Sequence, residues 1–321
     1  GAPLKSSRWH PMIIKVLGSA AGGGFPQWNC NCRNCADVRA GKPGFRPRTQ
    51  SSLAVSRDGT DWVLLNASPD LRQQINATPE LGSRANGGLR NSPIKAAVVT
   101  NGDVDHISGL INLREMEPLA VYGTDRVLST IAATSIFNVL DAGKVKRREL
   151  ALDTPTELHG ADAALGLTIT AFAVPGKIAL YLEDASQGAN FGSTAGDTIG
   201  LEVKDPATGK SFLYIPGCAE VDAKLAARLK GASLVFFDGT LYTDNEMIDA
   251  GLMPKTGARM GHISISGPDG SVAALGKLDV ARKIYVHINN SNPVLDENSE
   301  ARRATEAAGW EVGYDGMEVR L

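Results

Sequence analysis

The stretch Thr100–His106, TNGDVDH, follows the apolar run IKAAVV at residues 94–99. A glycine and polar residues directly after such a run place the stretch on the loop leaving a buried strand. Adjacent Asp105 and His106 at that strand end have the chemistry of metal ligands, a carboxylate oxygen and an imidazole nitrogen. Two donors do not complete a site, so the rest must come from elsewhere. His287 stands where the apolar strand of IYVHINNSNP runs into an Asn-rich loop. His262 lies in GARMGHISIS, a Gly-bounded loop before a helix-like segment, and Asp238 closes the apolar strand of LVFFDGT. A single histidine near a strand end is more often structural than a ligand, and Asp238 alone can cap the following turn. Taken together, these strand-to-loop residues fit one site on one rim of the sheets. His159, in ELHGAD, sits among surface-type residues and is set aside.

A second constellation is WNCNCRNC, which supplies Cys30, Cys32 and Cys35 from a Gly, Pro and Asn-rich loop. Three thiols so close can converge on one borderline cation, and structural zinc takes four ligands with thiolate preferred. The plain alternative is three reduced loop cysteines without a metal, a reactive arrangement to leave exposed. The fourth zinc ligand is not in the loop, and Cys218 is the only other thiol.

Strand-like runs recur at 13–18, 51–56, 61–67, 94–100, 119–124, 167–174, 198–205, 211–217, 233–239, 283–289 and 309–316. Helix-like segments lie at 125–141, 221–230, 271–278 and 298–309, and 107–116 has helical spacing. Consecutive strands dominate the first half, and strand and helix alternate in the second. That predicts an α/β sandwich with sheet layers covered by helices, not divided into separate domains.

With 321 residues, 43% of them hydrophobic, the chain can bury a sizeable core. A formal net charge of −2 gives no basic surplus for nucleic acid. No apolar run approaches the roughly 20 residues of a membrane span, and no signal-peptide pattern is evident. Cysteine usage is unlike a secreted disulfide framework, so a cytoplasmic protein without a membrane partner is expected. Residues 1–11, with His10, read as an appended remnant, and 12–321 as the domain. Composition leaves the oligomeric state open, a homodimer included.

The motif TNGDVDH and the strand-end ligands resemble the metallo-β-lactamase superfamily, with its HxHxDH loop and αββα sandwich. More closely, the chain resembles the family of B proteins of pyrroloquinoline quinone (PQQ) biosynthesis, from Met12 to Leu321. The resemblance rests on VLGSAAGGGFPQWNCNCRNC, RTQSSLAVS, NASPDLRQQ, TNGDVDHISGL, MGHISISG and GWEVGYDGMEVRL. The Cys loop and GYDGMEV also resemble a cyclic phosphodiesterase of phosphonate metabolism within the same superfamily.

The departures from HxHxDH carry the chemistry. Asn101 and Asp103 stand where its leading histidines would be. Gly176 or Lys177 falls where the later histidine of the first metal position is expected, and Gly217 or Cys218 where an Asp bridging two metals is expected. Asp105, His106 and His287 survive, so the resemblance implies one metal. Two histidines and a carboxylate form the facial set of non-haem Fe(II) oxygenases, while a hydrolase of this superfamily ordinarily uses two metals. PQQ is built from a joined Glu and Tyr, and the tyrosine ring must gain oxygen. The resemblance therefore implies an Fe(II)-dependent hydroxylase of a tyrosine-derived, small-molecule or peptide-derived precursor. A metal-dependent hydrolase and a non-catalytic carrier of PQQ or its precursor are the alternatives.

The related cyclic phosphodiesterase has a proton-donating histidine at the position of His262, which here can move a proton, bind substrate or complete the iron shell. Asp238 can orient His106 or His262, and Asp103 is a further ligand or supporting candidate. In that relative a histidine three residues past the last catalytic histidine joins the cysteines; here that position is Asn290, with Asn289 or water as alternatives. PQQ-type compounds carry several carboxylates. The backbone N–H groups of Gly22, Gly23 and Gly24 can receive one, unless these glycines only permit a tight turn. Arg48 and Lys255 are further candidates for the anionic substrate.

Overall fold

The computed structural model describes residues 10–321. The segment read as a remnant lies outside the described residues except for positions 10 and 11.

The first six strands are β1 (Ile13–Gly18), β2 (Ser52–Ser56), β3 (Trp62–Leu65), β4 (Ile94–Val98), β5 (Leu119–Gly123) and β6 (Val145–Glu149). The next four are β7 (Thr156–His159), β8 (Ala164–Ala173), β9 (Ile199–Lys204) and β10 (Ser211–Ile215). β11 (Val235–Asp238), β12 (Lys283–Val286), β13 (Trp310–Val312) and β14 (Glu318–Arg320) complete the set. They form two seven-stranded sheets, ordered β14-β1-β2-β3-β4-β5-β6 and β13-β12-β11-β10-β9-β8-β7.

Alternation along the strands explains the layering. Val63 and Leu65 of β3, and Phe212 and Tyr214 of β10, enter one core between the sheets. Their neighbours Trp62 and Leu64 face a second core on the outside of the first sheet. Leu213 and Ile215 face a third outside the second sheet. Strands buried on both faces read as continuous apolar runs, as these do in the sequence. The result is the αββα sandwich that the resemblance implies.

Three strands go unrecognised in the sequence, β6, β7 and β14, and each is a sheet edge. VKRRE and EVR are short and mostly exposed, and TELH is short and half-buried; charged, short edges discourage strand addition from other molecules. The helix expected over 125–141 ends at Ala133, followed by a 3₁₀ turn over Ser135–Val139. Thr134 between them is extended and turns its hydroxyl back to the Thr130 carbonyl. The segment 107–116 is likewise a helical turn (Val104–Ile107) running into a 3₁₀ segment (Ser108–Leu113). The helices Arg33–Arg39 and Leu71–Ala77 are additional to the sequence reading.

β3 to β6 pair in parallel in one sheet and β10 to β13 in the other. The candidate donors lie at the carboxyl ends of these strands: Asn101–His106 beyond β4, Asp238 ending β11, and His287 one residue past β12. Carboxyl ends of parallel strands are where open α/β sheets place ligands.

Gly239 keeps two of these ends together. A Cβ there would lie 2.8 Å from Tyr285 Cβ and 3.0 Å from the Val286 carbonyl oxygen. Gly239→Ala is therefore expected to force β11 from β12 and to destabilise the protein by roughly 1–3 kcal/mol. Urea unfolding checks this; an unchanged midpoint would show that the strand ends separate freely.

Candidate metal centre

Asp105 Oδ2 lies 3.1 Å from His287 Nε2 and 3.4 Å from His106 Nε2. Hydrogen bonding behind the rings sets what they present. Asn101 Oδ1 receives the Asp103 backbone N–H at 3.0 Å, which identifies it as the amide oxygen, and it lies 2.6 Å from His106 Nδ1. His106 therefore carries its proton on Nδ1. Its Nε2 is buried and has no hydrogen-bond partner. Thr240 gives its hydroxyl proton to Asp238 Oδ1 at 2.6 Å, so its oxygen accepts from His287 Nδ1 at 2.8 Å. Both imidazoles then turn lone pairs toward the Asp105 carboxylate. Three acceptors converge without a donor among them, a set that fits a divalent cation.

The electrostatics agree. Burial pushes His106 down to about 4 against the pull of Asp105, so its ring is neutral at pH 7. Burial disfavours the Asp105 anion, and only His106 and His287 in proton-donating form hold its carboxyl well below the usual range; with both rings turning lone pairs to it, a bound cation would take over that role. His287 adopts φ +56°, a left-handed backbone for a non-glycine residue. Such strain collects where function fixes a side chain.

Asp238 is wholly buried. Its Oδ2 accepts from Cys218 N at 2.9 Å and lies 2.7 Å from His262 Nδ1; Oδ1 also accepts from Thr240 N at 3.0 Å. Asp238 thus orients His262 directly and His287 through Thr240, and it does not touch His106. Burial works against a charged His262, yet Asp238 raises its pKa above the usual value. His262 stacks on His287 at 5.3 Å between ring centres, with its Nε2 edge free of protein partners among the described residues.

The residues standing where a first metal would bind are engaged elsewhere. Asn101 holds His106. Asp103 Oδ1 accepts from Leu180 N at 3.3 Å; burial and nearby Asp105 raise its carboxyl to about 6. Lys177 Nζ donates to Ala189 O, and Cys218 Sγ to Glu220 O. Asp103 lines the cavity but joins none of the convergent donor groups among the described residues. Asp238, His262 and His287 do form one, overlapping the first at His287.

These groups open into a cavity of about 640 Å³. Gly22 and Lys255 line it. Lys177 and Arg259 add basic groups, and Met247, Met253 and Met260 add a soft apolar wall. Gly23 and Gly24 do not offer free N–H groups: these bind Gln50 Oε1 and Ala21 O, and both residues have positive φ. For them the tight-turn reading holds. Arg48 lies outside this cavity. It is 4% exposed and donates to Gly313 O and Ser19 Oγ, because its strand bridge with Phe25 turns the side chain toward the C-terminal turn.

Cys30, Cys32 and Cys35 form the thiol group, with Cys35 inside the first helix. Asn290 arrives from the loop after β12, its Nδ2 3.3 Å from Cys35 Sγ and 3.7 Å from Cys32 Sγ. Swapping amide oxygen for nitrogen by rotation would present Oδ1 to the same space. Asn289 instead donates to Ser291 Oγ, and Cys218 is not among the thiols. Burial, then crowding by neighbouring thiols, raises Cys32 to about 12, while hydrogen bonds overcome burial to lower Cys30. Three thiolates cannot coexist here without a cation.

Sequence reasoning had no role for Thr240, although it sits two residues past Asp238 in DGT, within turn reach of that carboxylate. Asn101 is legible in sequence only as a missing histidine; its Asx-type bond to Asp103 N is what fixes His106.

The profile of the beta-lactamase superfamily domain matches residues 61–288. Coenzyme PQQ synthesis protein B of Methylobacterium nodulans is 51% identical over 306 residues, covering 95% of this chain and 99% of that one. The protein of the same description from Rhodopseudomonas palustris is 52% identical over 312 residues, 97% of this chain and 100% of that one. The crystal structure of Zn(2+)-bound PqqB from Methylobacterium extorquens superposes with a TM-score of 0.90 at 48% identity, covering 96% of this chain and 100% of that one. A diphosphatase of the PhnP family shares the fold at 19% identity and a TM-score of 0.66, covering 97% of this chain and 98% of that one.

Two outcomes test the geometry. Thr240→Val should remove the acceptor behind His287 and weaken metal binding at the His/Asp group about 10–100-fold, read by competition with a chelating dye. Equal affinity would rule out the relay. Cys32→Ser should remove about one zinc per chain and lower the melting temperature, since structural zinc contributes folding energy. Elemental analysis with thermal unfolding decides, and unchanged values of both would exclude a structural zinc.

Proposed function

The chain belongs to the coenzyme PQQ synthesis protein B family of the metallo-β-lactamase superfamily, and from that premise we propose that it is an Fe(II)-dependent hydroxylase. Its substrate is a tyrosine-derived precursor of PQQ, and residues 12–321 form the functional domain. The carrying observation is the donor set: Asp105, His106 and His287 converge, while Asn101, Asp103, Lys177 and Cys218 are bonded elsewhere. One cation with open positions fits oxygenase chemistry better than the two-metal clamp of hydrolysis. Fe(II) held by these three residues would supply the redox chemistry that activates dioxygen.

The chain's own residues do the rest. Asn101 and Thr240 keep the His106 and His287 rings facing Asp105. His262, its Nδ1 fixed on Asp238, exchanges a proton with the substrate at Nε2. Lys255 receives a substrate carboxylate, with Gly22 allowing close approach, and the methionine wall takes the apolar body; Arg259 is already paired with Glu183. Cys30, Cys32, Cys35 and Asn290 hold structural zinc, tying the N-terminal loop to the loop that carries His287. The zinc-bound Methylobacterium extorquens structure supports divalent-metal affinity in this family. No described helix is long and apolar enough to cross a membrane.

Protein loaded anaerobically with Fe(II) or with zinc, then given a tyrosine-derived substrate and oxygen, separates the readings. Oxygen uptake and ring hydroxylation are expected with iron alone, because zinc does not change redox state. His262→Ala should keep its iron and turn over roughly 10²–10⁴-fold more slowly. Equal hydrolysis by both metal forms without oxygen uptake would replace the hydroxylase with a hydrolase.

A further inference from the structure

A second cavity, of about 250 Å³, lies between the loop holding Arg46 and Arg48, the helix Glu300–Ala307, and the C-terminal turn. It shares no lining residue with the His/Asp cavity. Arg46, Arg48 and Arg302 are among its lining residues. Three carboxylates also line it, but each has a cation: Glu297 pairs with Arg46 at 2.9 Å, Glu306 with Arg302 at 2.8 Å, and Glu311 with Arg282 at 2.7 Å.

Arg48 is different. It has no carboxylate within ion-pair distance among the described residues, although it is almost wholly buried. Asp315 is near, but its oxygens accept from Ser19 N, Ser19 Oγ, Thr49 N and Thr49 Oγ1 at 2.7–2.9 Å, and it meets Arg48 only through the Ser19 hydroxyl. Arg48 Nε has no hydrogen-bond partner, nor does Trp310 Nε1 in the same cavity wall. Burial lowers the Arg48 pKa to about 10 against the opposing charge of Asp315, and Arg302 and Arg46 add to the lowering. Arg46 and Arg302 are already paired, so the charge without an ion pair is that of Arg48; a buried guanidinium of this kind is costly until an anion completes it, and arginine forks match carboxylate and phosphate geometry.

We propose that this cavity binds a small oxyanion, a carboxylate or phosphate group, held by Arg48 and Arg302 with Arg46 at its rim. Its volume suits inorganic phosphate or a compact dicarboxylate, at roughly 30 Å³ for each water displaced. Arg48 also exchanges both backbone hydrogen bonds with Phe25, so the bound anion would brace the loop that leads to Cys30.

Calorimetric titration of the full protein with inorganic phosphate and with malonate, in chloride buffer, tests this. Saturable one-to-one binding of either anion is expected, and the tighter one names the source. Arg302→Gln should weaken it about tenfold or more, since charge-assisted hydrogen bonds are lost. His287→Ala should bind as before. Arg48→Gln risks misfolding, so Arg302→Gln and Arg46→Gln carry the comparison. No saturable binding of either anion at millimolar concentration overturns the proposal. So does binding that survives Arg302→Gln or that is lost in His287→Ala.

Discussion

The carboxylate of Asp238 is a buried charge that is stable only because it is completely hydrogen-bonded. It has no solvent exposure, and its two oxygens receive the Cys218 and Thr240 backbone N–H groups, the Thr240 hydroxyl and the His262 ring. Leaving any of these unmade would cost more than the bond is worth in water. Satisfying them all dictates how tightly the end of β11 turns, where the loop after β10 passes, and which tautomer His287 adopts. The rim of the second sheet is in this sense assembled around one anion.

The first sheet makes its contribution by a different device. His106 is oriented by Asn101, five residues earlier on the same loop, so its geometry is local and travels with β4. The centre combines a self-contained loop from one sheet with a network from the other, and the core between the sheets fixes their separation. Asn101, at the position where the resemblance expects a leading histidine, serves here as an orienting group for His106.

Much of this was legible in the sequence where chemistry coincides with hydrophobic pattern. The apolar runs ending in Asp105-His106, Asp238 and His287 located the rim, because strands buried on both faces are continuous in apolar residues. The charged edge strand VKRRE carries no such signal; its pairing with β5, not its composition, makes it a strand. Arg48 illustrates a different limit. A lone arginine in a loop suggests anion binding, but which cavity it reaches depends on the Phe25 bridge, a contact 23 residues away in sequence (48 − 25) and invisible to any local pattern. Thr240 and Asn101 act through their neighbours, so their meaning exists only once the rings they hold are in place.

Asp105 and His287 are 182 residues apart in sequence, whereas the three thiols fall within six residues, Cys30 to Cys35. During synthesis, at roughly 5–20 residues per second, the thiols emerge many seconds before the last histidine can reach its partners. The thiols nevertheless wait for Asn290, which follows His287 by three residues and packs against Cys32 and Cys35. Both donor groups are thus completed by the same late stretch of chain, and neither is whole before the other.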